Sequence, residues 1–158
     1  MLNSRMVFRL VNLGFSLLLC LSVSRAHSGP VVTATLGANS ASGFQDAHFA
    51  SSLGLYAIFD NQTLIGVQTG QGTIAGSNSI PIAADAMIRL PLGRIVLPVV
   101  TGSIGVAVGH KDPDFLWRGG GGFDIKNGRR SSLLLLGAYE RLGSLSGWLG
   151  RAGFLLEL

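Results

Sequence analysis

The stretch Phe115-Leu116-Trp117-Arg118-Gly119-Gly120-Gly121-Gly122-Phe123-Asp124-Ile125-Lys126 decides how the rest of the chain is read. Taken two residues at a time, it splits cleanly. Phe115, Trp117, Gly119, Gly121, Phe123 and Ile125 form one set; Leu116, Arg118, Gly120, Gly122, Asp124 and Lys126 form the other. The first set is aromatic and apolar, and the second holds every charge. A period of two marks a β-strand, whose successive side chains leave opposite faces. A helical period would scatter those charges around the axis, and each glycine of the run would cost a helix about 1 kcal/mol.

The same split recurs on both sides of this stretch. Over Ile95–Gly109, Val96, Val100, Ile104, Val106 and Val108 oppose Thr101, Ser103, Gly105 and Ala107. Over Ile82–Leu90, Ile82, Ala84, Ala86, Ile88 and Leu90 oppose Asp85, Met87 and Arg89. Over Ser146–Leu158, Trp148, Ala152, Phe154, Leu156 and Leu158 oppose Arg151 and Glu157. Arg130–Glu140 is less regular: Leu133, Leu135 and Tyr139 share one face, but Leu134 and Leu136 occupy the other. Weaker alternation upstream predicts strands near Val31–Leu36, Ser52–Phe59 and Thr63–Thr69, which makes eight strands in all.

The connections are predicted to alternate in length. Short turns fall at Asp60-Asn61-Gln62, Pro91-Leu92-Gly93-Arg94 and Asn127-Gly128, the last a strong hairpin dipeptide. Longer or more polar connections fall at Gly37–Ala47, Gln71–Ile80, His110–Asp114 and Arg141–Leu145. Short turns on one side and longer loops on the other is the pattern of outer-membrane barrels, and an even strand count leaves both termini on the short-turn side.

Composition narrows the class. Hydrophobic residues make up 47% of the chain and charged residues 13%, with 23 glycines. A soluble domain carries about 25% charged residues. Residues 1–26 read as a cleavable signal peptide. Arg5 and Arg9 precede an apolar run over Leu10–Val23, and Ser24-Arg25-Ala26 fits the cleavage rule. The run is short for a spanning helix and is interrupted by Asn12, Gly14 and Ser16. Cys20 lacks the small preceding residues of a lipoprotein signal. Cleavage after Ala26 removes this single cysteine, and with it any thiol chemistry. It also removes Arg5, Arg9 and Arg25 from the 12 basic residues, leaving a near balance against 8 acidic ones. No basic cluster with interleaved aromatics is present, so nothing points to nucleic acid.

The remaining chain, 27–158, holds no apolar segment of about 18 residues or more, so a spanning helix is not expected. An apolar, charge-poor, glycine-rich chain of this kind is either a membrane β-barrel or a soluble protein with a large buried core. In hydrocarbon every backbone N–H and C=O must be paired within the protein, so only helices and closed barrels span. A spanning barrel turns its apolar face to lipid and its polar face inward. An Arg or Lys on the lipid face at the bilayer midplane would cost roughly 2–4 kcal/mol. The one-sided charges of Phe115–Lys126 and Ile82–Leu90 meet that demand.

Several segments resemble the small bacterial outer-membrane β-barrels, the group containing the OmpA transmembrane domain and OmpX. The likeness covers mainly Ile80–Leu158. It lies in Leu97-Pro98-Val99-Val100-Thr101-Gly102-Ser103-Ile104-Gly105, in Gly120-Gly121-Gly122-Phe123-Asp124 and in Gly137-Ala138-Tyr139-Glu140. The end, Gly150-Arg151-Ala152-Gly153-Phe154-Leu155-Leu156-Glu157-Leu158, looks like the closing strand recognised by the barrel-assembly machinery, with Phe154, Leu156 and Leu158 as its signal. That signal normally ends in Phe, and here Leu158 stands in its place. The resemblance implies an all-β, antiparallel, up-and-down transmembrane barrel in the bacterial outer membrane. It implies lipid and lipopolysaccharide around the wall, periplasmic chaperones and the barrel-assembly machinery as folding partners, and no cofactor.

Candidate functional residues follow from this reading. Asp85, Arg89, Arg118, Asp124, Lys126, Glu140, Arg151 and Glu157 are expected inside, where they either pair with one another or line a narrow channel. An eight-stranded barrel is just wide enough for side chains to fill. Phe115, Trp117, Phe123, Tyr139, Trp148 and Phe154 are expected on the membrane side, as girdles at the interfaces. Gly119–Gly122 is no phosphate loop, because no Gly-Lys-Ser/Thr follows. His110 beside Lys111, Asp112 and Asp114 reads as a solvated polar loop rather than a metal site. A lipid-A-modifying barrel enzyme would need a Ser–His pair, and His48 with Ser51 and Ser52 is the nearest stand-in. Asn61-Gln62-Thr63 matches a glycosylation sequon by chance. The expected function is a structural or surface-interaction role without catalysis, any surface ligand docking on Gly37–Ala47 and Gln71–Ile80. The alternatives are a small passive pore, a lipid-A-modifying enzyme, or a soluble barrel that binds an apolar ligand.

Overall fold

The computed structural model describes residues 29–40, 47–60, 62–74, 77–109 and 113–158. The signal segment 1–26, His27, the sequon residue Asn61 and His110-Lys111-Asp112 lie outside them. Eight strands follow in order: β1 (Val31–Ser40), β2 (His48–Phe59), β3 (Thr63–Ile74), β4 (Ser77–Arg89), β5 (Val96–Gly109), β6 (Asp114–Lys126), β7 (Ser131–Leu142) and β8 (Leu145–Glu157). Each pairs antiparallel with its neighbours in sequence, and β1 pairs with β8, so the sheet closes into a barrel. The closing seam runs from Val31↔Glu157 to Ser40↔Trp148. Closure leaves no strand edge unpaired, which is the condition for crossing hydrocarbon with strands. The end of the barrel where β1 begins and β8 ends is termed the terminal rim, and the opposite end the distal rim.

Alternation in the sequence becomes an inside and an outside. Along β6, Leu116 and Asp124 are fully buried, whereas Phe115 is 60% and Phe123 48% exposed. β8 repeats this with Leu149, Arg151 and Leu155 buried against Trp148 and Phe154, 66% and 62% exposed. The exposed face of the sheet is largely apolar and the enclosed face carries most of the charge, the reverse of a soluble barrel. The uneven face of Arg130–Glu140 is explained too. Leu134 and Leu136 point inward, into an apolar layer that also holds Val31, Tyr56, Ile58, Leu64, Met87, Val99 and Leu155.

Three expectations about connections are corrected. Gln71–Ile80 is not a long loop: β3 and β4 continue as a ladder through Gly72↔Ser79, Thr73↔Asn78 and Ile74↔Ser77. Arg141–Leu145 is likewise tight, with Leu142 paired to Leu145 around Gly143 at φ +57°, a left-handed position that suits glycine. Conversely, the connection over Pro91–Arg94 is the longer one, running from Leu90 to Ile95. Loop length therefore does not separate the two rims. The physical reason is that β1–β4 extend beyond their apolar alternation. Residues such as Gly37, Asn39, Gly72 and Ser79 carry the backbone ladder onward without an amphipathic signal.

Candidate functional site

Cross-strand register assembles the interior. One lateral row reads Tyr56↔Gly66↔Asp85↔Ser103↔Arg118↔Glu140, from β2 to β7. All these residues lie on the inward parity of their strands, so residues far apart in sequence become neighbours at mid-barrel. Gly66 places no side chain between them, and Tyr56, its ring packed over Gly54, donates from Oη to Asp85 Oδ2 at 2.5 Å. Ser103 Oγ donates to Asp85 Oδ1 at 2.5 Å. Both oxygens of this buried carboxylate are thus held by neutral donors.

Farther along the row, Arg118 Nε donates to Glu140 Oε2 in a buried ion pair, and Arg118 Nη1 donates to Gln68 Oε1 at 3.2 Å. The same Gln68 oxygen accepts from Arg151 Nη1 at 2.9 Å, and Arg151 Nη1 also meets Ser52 Oγ at 3.1 Å. Ser52 in turn lies 2.6 Å from Thr35 Oγ1. A polar chain therefore runs Glu140–Arg118–Gln68–Arg151–Ser52–Thr35 around the lumen. Nearer the terminal rim, Arg89 bridges Asp124 at 2.7 Å and Glu157 at 3.2 Å. Between these two polar layers lies the apolar layer. It draws on every strand except β6, which contributes Gly120 and Gly122. Toward the distal rim, Ala83, Ala107, Leu116 and Leu142 form a second apolar cluster.

Seven of the eight charged residues expected inside lie in these layers, Glu157 only in part. Lys126 does not: it shares their parity but ends β6 at the terminal rim and is exposed. Its expected place in the interior set is corrected to the rim, because the strand stops there. Of the neutral members, Ser103 already stands on the polar parity in the sequence, whereas Tyr56, Gln68, Ser52 and Thr35 carry no such mark. Charge marks interior residues in a sequence, whereas the hydroxyls and amide of these four become visible only once the register is known.

The aromatic residues lie on the outer wall in two bands. Phe115, Trp117, Tyr139 and Trp148 sit toward the distal rim, joined there by Phe49, which carries no clear signal in the sequence. Trp117 and Tyr139 rings are 5.8 Å apart, and Tyr139 meets Trp148 edge-on at 5.4 Å. Phe123 and Phe154 lie toward the terminal rim. In the closing strand, Phe154, Leu156 and Leu158 all face outward, and Leu158 N donates to Pro30 O at 2.9 Å.

No built reaction centre emerges among the described residues. Ser51 faces outward while Ser52 points inward and is engaged by Thr35 and Arg151. His48 sits on the inward parity at the start of β2, four residues from Ser52 along an extended strand, which is beyond hydrogen-bond reach. No group of three metal-binding side chains is present among the described residues. The interior cavity lined by Asn39, Ser79, Arg118, Glu140 and Arg151 measures about 20 Å³, roughly room for one water molecule. A larger groove of about 460 Å³ lies on the outer wall over Ala34, Ser51, Thr69 and Ala152, between Leu36, Leu53 and Phe154.

Solved structures share this architecture. Neisserial surface protein A aligns with a TM-score of 0.63 at 11% identity, covering 82% of this chain and 96% of that one. The N-terminal β-barrel domain of Pseudomonas aeruginosa OprF aligns with a TM-score of 0.61 at 9% identity, covering 84% and 100%. The outer membrane enzyme PagL aligns with a TM-score of 0.54 at 17% identity, covering 81% and 99%. At these identities the likeness is one of fold: the chain is a small outer-membrane-type β-barrel. No family model and no curated protein matches the sequence.

Proposed function

We propose that the chain is a non-catalytic outer-membrane β-barrel with a structural or surface-interaction role, exported through a cleaved signal peptide. The observation that carries this reading is the lumen. Its charged side chains Asp85, Arg89, Arg118, Asp124, Glu140 and Arg151 each have a hydrogen-bonded partner within the lumen, and an apolar layer crosses the barrel below the mid-barrel set. A scaffold needs its interior to hold the wall in shape, and ion pairs between facing strands do that. A pore needs a continuous wet path; the cavity between Asn39, Ser79, Arg118, Glu140 and Arg151 holds only about 20 Å³, and the apolar layer lies across the barrel below it. The fold itself does not decide against catalysis, since PagL is described as an enzyme. What speaks against it is the separation of His48 from Ser51 and Ser52. Surface contacts would fall on the connections after β1 and β5, because the other two distal turns are tight. Loops on a rigid scaffold are the usual carriers of binding. Lipid and lipopolysaccharide would surround the wall, and chaperones and the barrel-assembly machinery would deliver it.

The experiment combines fractionation with electrophysiology. The chain should partition with outer membranes, require detergent for release, and shift in gel mobility on boiling. Purified barrel should give no unitary conductance in planar bilayers, and lipid A from overexpressing cells should keep its mass. Discrete channels abolished by Arg118→Ala would overturn the structural reading in favour of a pore, and a changed lipid A mass would overturn it in favour of an enzyme.

A further inference from the structure

We propose that the terminal rim carries a binding surface for anionic phospholipid headgroups, built from Arg94, Lys126, Arg129 and Arg130 beside the apolar turn Leu90–Ile95. The two connections that hold these residues are separate in sequence but adjoin in space. Lys126 N donates to Ile95 O at 2.8 Å, which ties the end of the β4–β5 connection to the start of the β6–β7 turn. All four basic residues are exposed. The Leu158 carboxylate sits on the β1–β8 seam of this rim, where Leu158 N donates to Pro30 O, and the rim's side-chain acids are engaged elsewhere. Glu157 turns its carboxylate to Arg89, and Asp60 accepts the backbone amides of Gln62 and Thr63 in its own turn. None of the four makes an ion pair among the described residues, and gathered cations repel one another unless an anion sits among them.

The same turn says what kind of anion. Leu92 is 79% and Ile95 64% exposed on either side of Arg94, and Val96 continues the apolar outer wall directly behind them. A free phosphate would gain nothing from these side chains. A phospholipid would present its phosphodiester to the arginines and its glycerol and upper acyl region to Leu92 and Ile95. Each basic residue close to an anionic membrane surface strengthens association by roughly fivefold. The inference rests on the reading that the barrel spans a bilayer, and it adds a lipid preference to the leaflet that meets the terminal rim.

The test uses the chain extracted folded from membranes into zwitterionic detergent. Phosphatidylglycerol and phosphatidylcholine with identical acyl chains are offered together, and retained lipid is read by native mass spectrometry. The expected result is at least tenfold preference for phosphatidylglycerol. R94Q/R129Q should bring it near parity, while R141Q, at the distal rim, leaves it intact. Should R94Q/R129Q not fold, the wild-type protein in about 0.5 M salt serves instead, since screening at that ionic strength should erase the preference. Equal retention of the two lipids by wild type would overturn the proposal, as would a preference that survives both R94Q/R129Q and salt. Displacement of the lipid by millimolar inorganic phosphate would assign the surface to a soluble anion, and displacement by lipid A to the other leaflet; either overturns it. Membrane fractionation and heat-modified mobility are scored separately. A membrane-embedded barrel without lipid preference sinks this inference alone, whereas a chain in the soluble fraction sinks the barrel reading as well.

Discussion

Gly122 and Gly137 face each other's strands with opposite surroundings. A Cβ on Gly122 would collide with the backbone carbonyl of Leu135, whereas a Cβ on Gly137 would meet nothing within 4 Å. Gly122 points inward, where β6 lies close against β7, and Gly137 points out to the wall. Gly122→Ala should therefore destabilise the folded barrel by about 1–3 kcal/mol, the usual scale of overpacking, and Gly137→Ala should be neutral. Urea unfolding in lipid vesicles, followed by gel mobility, would separate them. Equal midpoints for the two variants would contradict the close approach. The buried pair Arg118–Glu140 makes a second residue-scale case. Glu140→Gln leaves a buried guanidinium without its anion, a change that costs about 3–5 kcal/mol. Replacing both partners, Arg118→Met with Glu140→Leu, should recover most of that loss in the same unfolding assay. If the double variant is no better than the single, the pair is not the unit that matters.

At the scale of strands and turns, legibility followed the amphipathic signal. β4 to β8 were readable because every second residue is apolar over most of their length, and the four-glycine run could not be helix. The strand ends at Gly37–Ser40 and Ser77–Ser79 were not readable, since small and polar residues on both parities carry the ladder there. The interior charges were legible from parity, but their pairing was not. Arg118 meets Glu140 because of a register set between β6 and β7, which no local pattern encodes. The β2–β3 turn offers a test at this scale. Asp60 adopts φ +47° and accepts the Thr63 amide at 3.0 Å and that of Gln62 at 3.3 Å. The Thr63 backbone hydrogen bond, the largest influence, holds the Asp60 carboxyl below its ordinary value of 3.8. A lowered value means the carboxylate stabilises the turn above pH 3.8, and that this contribution is lost as pH falls further, through the folded value. The amide proton shift of Thr63, followed by NMR in micelles, should titrate below pH 3.8 in wild type and stay flat in Asp60→Asn.

For the molecule as a whole, the two tryptophans are a built-in reporter. Trp117 and Trp148 are the chain's only two, and both stand on the outer wall, 37% and 66% exposed. Embedded in a bilayer, they belong at its distal interface, where amphipathic rings collect. Their emission should be quenched by lipids brominated on the acyl chains, and Trp117→Phe should leave a quenchable remainder from Trp148. Resistance to such lipids, together with resistance to aqueous iodide, would mean that the rings are shielded by protein and that the wall is not a lipid surface.

The seam between β1 and β8 has one more implication. Leu158 is hydrogen-bonded to Pro30, so the beginning and end of the ring are already neighbours, and the eight antiparallel pairings form a cycle without a privileged origin. A circular permutant that splices residue 158 to residue 30 and opens the peptide bond between Gly143 and Ser144 would keep the cycle of pairings while moving the closing strand β8 to the front of the chain and leaving β7 last. Such a permutant should refold in detergent with native heat-modified mobility, yet insert poorly in cells if export machinery reads the strand that comes last.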